Sequence, residues 1–262
     1  MQRYMVILFL PNFYAFFLNL FLTKSHKPLK NNNLKTKTLD CCVFLDILCH
    51  LFSYFCYPNS PHMVIHIISY IIAMLYICYI FRLWRAWKKA ERFSFQTGLS
   101  SQKELVSIVV AFRNEEQHLA KLQNALAKQT YKNYELILVN DHSTDNFKSK
   151  ISQERRIRLL NATEEGKKRA LLEGVNAAKG DIVLCTDADC LPCPTWIESI
   201  VSFFGTNQTD MVIAPVVMIP EKKAFERIQT LEFASLQAAT AGSACAGDPI
   251  MCNGANMAFK KK

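Results

Sequence analysis

An apolar run from Met63 to Trp84 constrains this chain more than any other feature, because it contains no charged residue before Arg82. About 20 apolar residues in a helix are long enough to cross the roughly 30 Å hydrocarbon core of a bilayer. Basic residues follow the run directly, and cytoplasmic flanks of such helices are enriched in Lys and Arg. The sequence therefore predicts a transmembrane helix over residues 63–84, followed on the cytoplasmic side by a basic linker over residues 85–104.

Two weaker apolar stretches precede this run. Residues 5–22 are interrupted by Pro11, and residues 41–57 contain Asp46; a charge inside the bilayer is costly. Two interpretations of residues 1–62 remain open: they form two extra membrane helices, giving three in all, or they result from a start codon upstream of Met63.

The charge distribution indicates a membrane rather than a nucleic acid as the partner of the basic segment. The first 100 residues carry 11 Lys and Arg against 3 Asp and Glu, and the remaining residues carry 20 against 19, within a total net charge of +9. A nucleic-acid-binding protein concentrates its basic excess on the folded domain. We therefore expect the lipid bilayer to be a partner, and no nucleic acid.

The ten cysteines do not form a pattern typical of zinc fingers or disulfide-rich domains. The Cys-x-x-Cys pair at Cys190 and Cys193 has no second pair at zinc-finger spacing. Cysteine in an apolar environment behaves as a small hydrophobic residue, which is how we interpret five of them: Cys41, Cys42, Cys49, Cys56 and Cys78.

Beyond residue 105 the sequence alternates between short β-branched runs and helical periods. Strands are predicted over residues 105–111, 134–140, 156–161, 181–186 and 211–219, and helices over residues 115–129 and 166–180, the second closed by Gly180. This alternation predicts an α/β fold with a mostly parallel sheet and helices on both faces. Ligands of such sheets bind outside the carboxyl ends of the strands. We therefore expect the chemistry directly after residues 111, 140 and 186.

Polar clusters occur at each of these three positions. Asp187 and Asp189 follow the fourth strand, and two such carboxylates favour a hard cation, Mg²⁺ or Mn²⁺, that also binds the phosphates of a nucleotide. Asp141 ends the second strand, where it could accept a hydrogen bond from a base, while the neighbouring Ser143 and Thr144 could cap the following helix. Lys167 offers a cation to phosphate. The chain lacks Gly-x-Gly-x-x-Gly and P-loop patterns, which argues against dinucleotide dehydrogenases and P-loop NTPases.

Four ordered segments carry a more specific signal: VSIVVAFRNEE, YELILVNDHSTD, GKKRALLEGVNAAKGDIVLCTDADC and NGANMAFKK. Together they resemble the family 2 glycosyltransferases. The resemblance implies a GT-A fold (the nucleotide-diphospho-sugar transferase fold) over residues 105–262 and inverting transfer of a sugar from a UDP- or GDP-sugar. Because the predicted transmembrane helix would place the site beside the bilayer, we expect a glycolipid or envelope polysaccharide as acceptor, with the protein in the bacterial inner membrane and its catalytic domain in the cytoplasm.

The resemblance also assigns the site residues. The loop from Ala111 through Arg113 to Glu115 would line the nucleoside, and Asp141 would bind the base. Donor binding would further involve Lys167, Asp187 and Gly254, the last in an Asn253–Asn256 turn beside the sugar or acceptor. Asp189, with Asp187, would ligate the metal.

The resemblance does not supply a catalytic base within this sequence. Inverting transfer needs a group that deprotonates the acceptor hydroxyl, and in the family it is an Asp or Glu beyond the NGANMAF segment, which here falls after Lys262. Asp248 is a weak alternative. Two further hypotheses stay open: a truncated member that binds the donor without transferring the sugar, and a nucleotidyltransferase of the same fold, which would release pyrophosphate.

Overall fold

A computed structural model describes residues 4–6, 63–89, 104–206, 209–218 and 224–261. Its strands are β1 Tyr4–Val6, β2 Val106–Phe112, β3 Tyr134–Asn140, β4 Ile157–Asn161, β5 Ile182–Thr186, β6 Met211–Ile213 and β7 Asn256–Lys260. They form one sheet in the order β1-β6-β7-β5-β2-β3-β4. Strand β7 is antiparallel to both of its neighbours and the other pairings are parallel, which confirms the predicted mostly parallel sheet.

Helices cover both faces of this sheet, as the alternating pattern predicts. They are α1 Met63–Lys89, α2 Glu116–Ala127, α3 Lys167–Ala177, α4 Trp196–Thr206 and α5 Ala224–Cys245, and a short 3₁₀ helix spans Phe147–Lys150. Side chains of α2 and α4, such as Leu119 and Ile197, share one buried core. Helix α3 covers the other face, where Ala170 packs in a second core.

Helix α3 lies very close to the sheet because of a glycine. A Cβ at Gly174 would fall 2.4 Å from Cγ1 of Val109 and 2.9 Å from Cγ2 of Val139. Since real Cβ atoms do not approach so closely, only a residue without a side chain allows this packing. Gly174 therefore fixes how α3 sits over β2 and β3.

Two predicted element ends differ from the structure by more than two residues. The predicted helix over residues 166–180 ends at Ala177, and Gly180 instead lies against the chain entering β2, where a Cβ would be 2.4 Å from the Leu105 carbonyl oxygen. The predicted strand over residues 211–219 ends at Ile213. Pro215 follows closely and has no N–H to continue a ladder.

Helix α1 contains the predicted transmembrane segment and continues past it to Lys89. An 18-residue window within its Val64–Lys89 portion has a mean hydropathy of 2.3, and this portion is long and apolar enough to cross a membrane. The start of the predicted linker over residues 85–104 is therefore helical. Of residues 1–62, Tyr4–Val6 forms β1, which pairs with β6; the other residues of the two weaker apolar stretches lie outside the described residues.

Candidate functional site

The carboxyl ends of β2, β3 and β5 lie side by side. Phe112 is paired with Asn140, and the Asp141 N–H donates to the Phe112 carbonyl oxygen at 2.8 Å. Strand β5 runs along the other side of β2, with Cys185 opposite Val109. The residues that follow these strands therefore share one edge of the sheet, where the sequence predicts the site.

The residues leading into α3 contact two of the predicted site residues. The Gly166 N–H donates to Oδ1 of Asp141 at 2.9 Å, and the Glu165 carboxylate is paired with the Arg113 guanidinium. Gly166 has a φ of 127°, which side-chain-bearing residues rarely adopt, while the space around it is open. Sequence reasoning did not identify Glu165 and Gly166, and a lone glycine before a basic helix start was the only signal for them.

Lys167, the next residue along the chain, contacts the polar cluster that follows β5. Lys167 is the first residue of α3, and its Nζ lies 2.8 Å from Oδ1 of Asp187. Asp187 is partly buried and Asp189 is exposed, whereas Ala188 between them is buried in the core. The predicted phosphate-binding cation and one predicted metal-binding carboxylate are thus in direct contact.

Asp141 and Ala111 are the most buried of the predicted site residues. Asp141 is 5% exposed, and its Oδ1 accepts from Gly166 and lies 3.3 Å from Nδ1 of His142. Both of these contacts fall on the same carboxylate oxygen. Ala111 packs in the core beneath α3, so that only its backbone could face a ligand.

Hydrogen bonds join the loop after β2 to the loop after β3. The Asn114 N–H donates to Oγ of Ser143 at 3.0 Å, and Oδ1 of Asn114 accepts from the Thr144 N–H at 2.8 Å. Oδ2 of Asp145 accepts from the N–H of Glu116, the first residue of α2, at 2.8 Å. The alternative that this polar run caps the following helix is therefore wrong, because its side chains bind the segment that begins α2.

The turn before β7 is fixed beside Asp187. Asn256 is paired with Thr186 across the sheet. Its Oδ1 accepts from Nε1 of Trp196 at 2.9 Å, and its Nδ2 donates to the Pro215 carbonyl oxygen at 2.9 Å. Gly254 lies exposed in the same turn. The predicted Asn253–Asn256 segment therefore adjoins the Asp187 edge of the sheet.

Glu115 and Asp248 each contact a basic side chain. Oε2 of Glu115 lies 2.6 Å from Nδ1 of His118, within the start of α2. Oδ2 of Asp248 accepts from Nη2 of Arg82, on α1, at 2.5 Å. Donor binding by Glu115 and base catalysis by Asp248 stay predictions.

The side chains at this edge suit a hard cation that is shared with a ligand. Within the described ranges, no three His, Cys, Asp or Glu side chains converge in a way that could hold a metal ion. Asp187 and Asp189 supply hard oxygen donors, and Mg²⁺ is commonly held by one or two carboxylates with substrate phosphates and water. Cys185 precedes them in β5 and is buried in the core of the sheet; burial, with the negative charge of Asp187, raises the pKa of its thiol to about 11.

Comparison with known proteins identifies the family. The sequence model of glycosyl transferase family 2 matches residues 107–262. The chain belongs to this family. The resemblance carried by the four sequence segments is therefore confirmed.

Known transferases match over about 40% of this chain. Glycosyltransferase GlyG of Streptococcus pneumoniae is 33% identical over 115 residues, which is 42% of this chain and 38% of that protein. The undecaprenyl-phosphate 4-deoxy-4-formamido-L-arabinose transferase of Proteus mirabilis is 35% identical over 107 residues, 37% of this chain and 32% of that protein. The matched segment thus spans about a third of the length of these relatives.

A solved structure supports the predicted GT-A fold. The mannosyltransferase PcManGT of Pyrobaculum calidifontis, solved in complex with GDP-Man and Mn²⁺, superposes with a TM-score of 0.50 and 21% identity over 73% of this chain and 55% of that one. At this identity the likeness concerns the fold alone.

Proposed function

We propose that this chain transfers a sugar from a UDP- or GDP-sugar to a glycolipid or envelope polysaccharide at the membrane, with inversion at the anomeric carbon. One observation carries the proposal: residues 165–167 link Arg113, Asp141 and Asp187, so that the three strand-end clusters form one surface. Membership of the family and the match to a fold that holds GDP-Man and Mn²⁺ in PcManGT support it.

The nucleoside would lie over the loops that follow β2 and β3. Because Oδ1 of Asp141 already accepts from Gly166, we assign the other oxygen, Oδ2, to the N–H of the base. The backbone around Ala111 and the guanidinium of Arg113 would line the same side. The hydrogen bonds that join the two loops hold this surface in place before the donor arrives.

The diphosphate would lie between Lys167 and the Asp187–Asp189 pair. Lys167 is exposed and flexible enough to turn from Asp187 to a phosphate oxygen. Asp187 and Asp189 are the residues that would hold Mg²⁺ or Mn²⁺. When bound, such an ion acts as a Lewis acid that neutralises charge on the departing diphosphate.

The acceptor and its base complete the proposal. Helix α1 would cross the inner membrane with the catalytic domain on the cytoplasmic side, because Arg85, Lys88 and Lys89 follow its apolar run. A relative named as a transferase to undecaprenyl-phosphate supports a lipid-linked acceptor. We assign the general base to the Asp or Glu that follows the NGANMAF segment in the family, with Asp248 as the weaker alternative.

Product analysis on the full chain in nanodiscs tests this proposal. The protein, as residues 1–262 and on a chain that continues past Lys262 to the assigned base, is incubated with Mn²⁺, a UDP- or GDP-sugar and a bacterial lipid extract. The expected result is acceptor-dependent release of UDP or GDP by the longer chain that Asp189→Asn abolishes. Pyrophosphate release from an NTP and a sugar phosphate would instead identify a nucleotidyltransferase. Donor binding without release under any condition would support the inactive, truncated form.

A further inference from the structure

Helix α1 is joined to α5 at the level where its charge-free run ends. Leu83 is buried against α5, and a Cβ at Gly242 would fall 2.9 Å from Cβ of Leu83. The next contact is ionic: Nη2 of Arg82 donates to Oδ2 of Asp248 at 2.5 Å. If α1 spans a bilayer, as the proposed function requires, both contacts lie at its cytoplasmic surface, because Arg82 is the first charge of the helix.

Exposed apolar side chains follow immediately after this ion pair. Ile250 is 57% exposed and Met251 is 43% exposed. Two residues of chain span at most about 7 Å, so the Ile250 backbone lies within that distance of Asp248. These two side chains are therefore held close to the cytoplasmic end of the transmembrane helix.

Helix α5 carries a second group of exposed apolar side chains. Phe225, Ile228 and Leu236 are 68%, 63% and 48% exposed. Their spacing places them on one side of an α-helix, and Ala234 and Ala241, on the opposite side, are buried in the fold. Exposed Gln229 and Glu232 lie on the same side as these three residues. The helix thus has one face packed against the protein and an amphipathic face that the described residues do not cover.

We propose that α5 and residues 250–251 lie in the headgroup region of the bilayer that α1 crosses. The occupant of this apolar surface is the lipid itself, because α5 packs on α1 at Gly242 and residues 250–251 follow the Arg82–Asp248 ion pair, so that the surface adjoins the end of a helix whose own apolar side chains are exposed. The Asn253–Asn256 turn follows Met251, and Asn256 is paired with Thr186, next to Asp187. The sheet edge that bears the donor site therefore opens towards the membrane surface, where the head of a lipid-linked acceptor is located.

Photo-crosslinking in the full chain tests this contact. A benzophenone amino acid replaces Phe225 or Ile250 in protein reconstituted into phosphatidylethanolamine and phosphatidylglycerol nanodiscs, and phospholipid adducts are quantified by mass spectrometry. Leu172, 59% exposed on α3, is the matched control, and Leu75, 65% exposed within the apolar run of α1, is the positive control. We expect adducts at positions 75, 225 and 250, at least tenfold above those at position 172.

The controls separate this proposal from the proposed function. Two results would overturn the membrane contact of α5 without affecting the proposed transmembrane helix. One is adducts at position 75 but not at positions 225 and 250, and the other is equal adducts at position 172. A lack of adducts at position 75 would overturn both. Nucleotide binding by each variant, measured in the same nanodiscs, reports a folded catalytic domain independently of lipid contact.

Discussion

Nζ of Lys167 lies 2.8 Å from Oδ1 of Asp187. The side chain that we propose binds phosphate is therefore paired with a carboxylate that we propose binds metal. An ammonium group and a divalent cation compete for the same carboxylate. Under the proposed function, a cation that takes Asp187 releases Lys167 towards phosphate, so we expect the binding of metal to be coupled to the binding of a nucleotide diphosphate.

Removing the ammonium group of Lys167 should change the binding of metal and the binding of nucleotide in opposite directions. In Lys167→Met we expect Mn²⁺ alone to bind up to about fivefold tighter, since an exposed ion pair contributes at most about 1 kcal/mol. Metal-free UDP or GDP should bind more weakly, because a phosphate-binding cation is lost. Titration calorimetry measures both, with Lys168→Met as the control on the adjacent exposed lysine; unchanged Mn²⁺ and nucleotide affinities in Lys167→Met would refute the coupling.

Gly166 should be intolerant of a side chain for conformational reasons alone. Its φ of 127° lies in a region that other residues rarely adopt, although its surroundings are open. We expect Gly166→Ala to destabilise the fold by about 1–3 kcal/mol and to weaken nucleotide binding through Asp141. The control is Gly205→Ala in α4, where the space is open and φ is ordinary. Thermal denaturation compares them, and equal midpoints would show that the conformation of residue 166 is unimportant.

The buried carboxylate of Glu135 should make stability depend on pH. Burial alone would raise its pKa, but hydrogen bonds from the Ser107 hydroxyl, the Lys179 N–H and the Arg158 guanidinium outweigh this and hold the pKa below its ordinary value of 4.5. A lowered folded-state pKa stabilises the protein above the unfolded-state pKa, and this stabilisation is lost as the pH falls through the folded-state value.

Glu135→Gln tests this dependence directly. We expect it to lower the free energy of unfolding by about 1–3 kcal/mol near neutral pH, with the difference from wild type shrinking below about pH 4. Glu154→Gln, on an exposed side chain, should change little. Denaturation midpoints across the pH range provide the measurement, and a wild-type advantage that persisted or grew in acid would contradict the assigned pKa direction.

Replacing Asn256 should lower the stability of the fold as well as disturb the candidate site. Asn256→Ala removes the acceptor of the Trp196 indole N–H and the donor to the Pro215 carbonyl oxygen. Losing partners of partly buried groups costs about 1–3 kcal/mol. Asn253→Ala removes a side chain that accepts from the Ala255 N–H of its own turn, and it should cost less. Equal thermal midpoints for the two variants would argue against the anchoring role.

The sheet could be predicted from sequence because its central strands are short apolar runs. The prediction for β3 matches its bounds of Tyr134–Asn140. The prediction that Gly180 ends a helix is wrong. A glycine is needed at this position because the chain packs against Leu105, and this three-dimensional contact has no sequence pattern. The short β6 depends on Pro215 and on its partner β7, which lies more than 40 residues further along the chain.

The site could be predicted only in parts. Asp141 and Asp187 could each be predicted from the sequence, because polar residues directly after apolar strand segments form a recognisable pattern. The contact of Lys167 with Asp187 depends on where α3 crosses the sheet, and Gly174 packed on Val109 sets that crossing. Such a packing contact leaves no periodic pattern in the sequence.

Nucleotide binding by the full chain in nanodiscs tests the central claim most directly. Calorimetric titration with UDP and GDP, with and without Mn²⁺, is compared for wild type, Asp187→Asn and Asp181→Asn. Asp181 is the matched control, because it is an exposed carboxylate before β5 whereas Asp187 follows the strand. We predict metal-dependent binding of one nucleotide that Asp187→Asn weakens at least tenfold and Asp181→Asn preserves. Binding of neither nucleotide by folded protein, or equal binding by Asp187→Asn and wild type, would contradict the account.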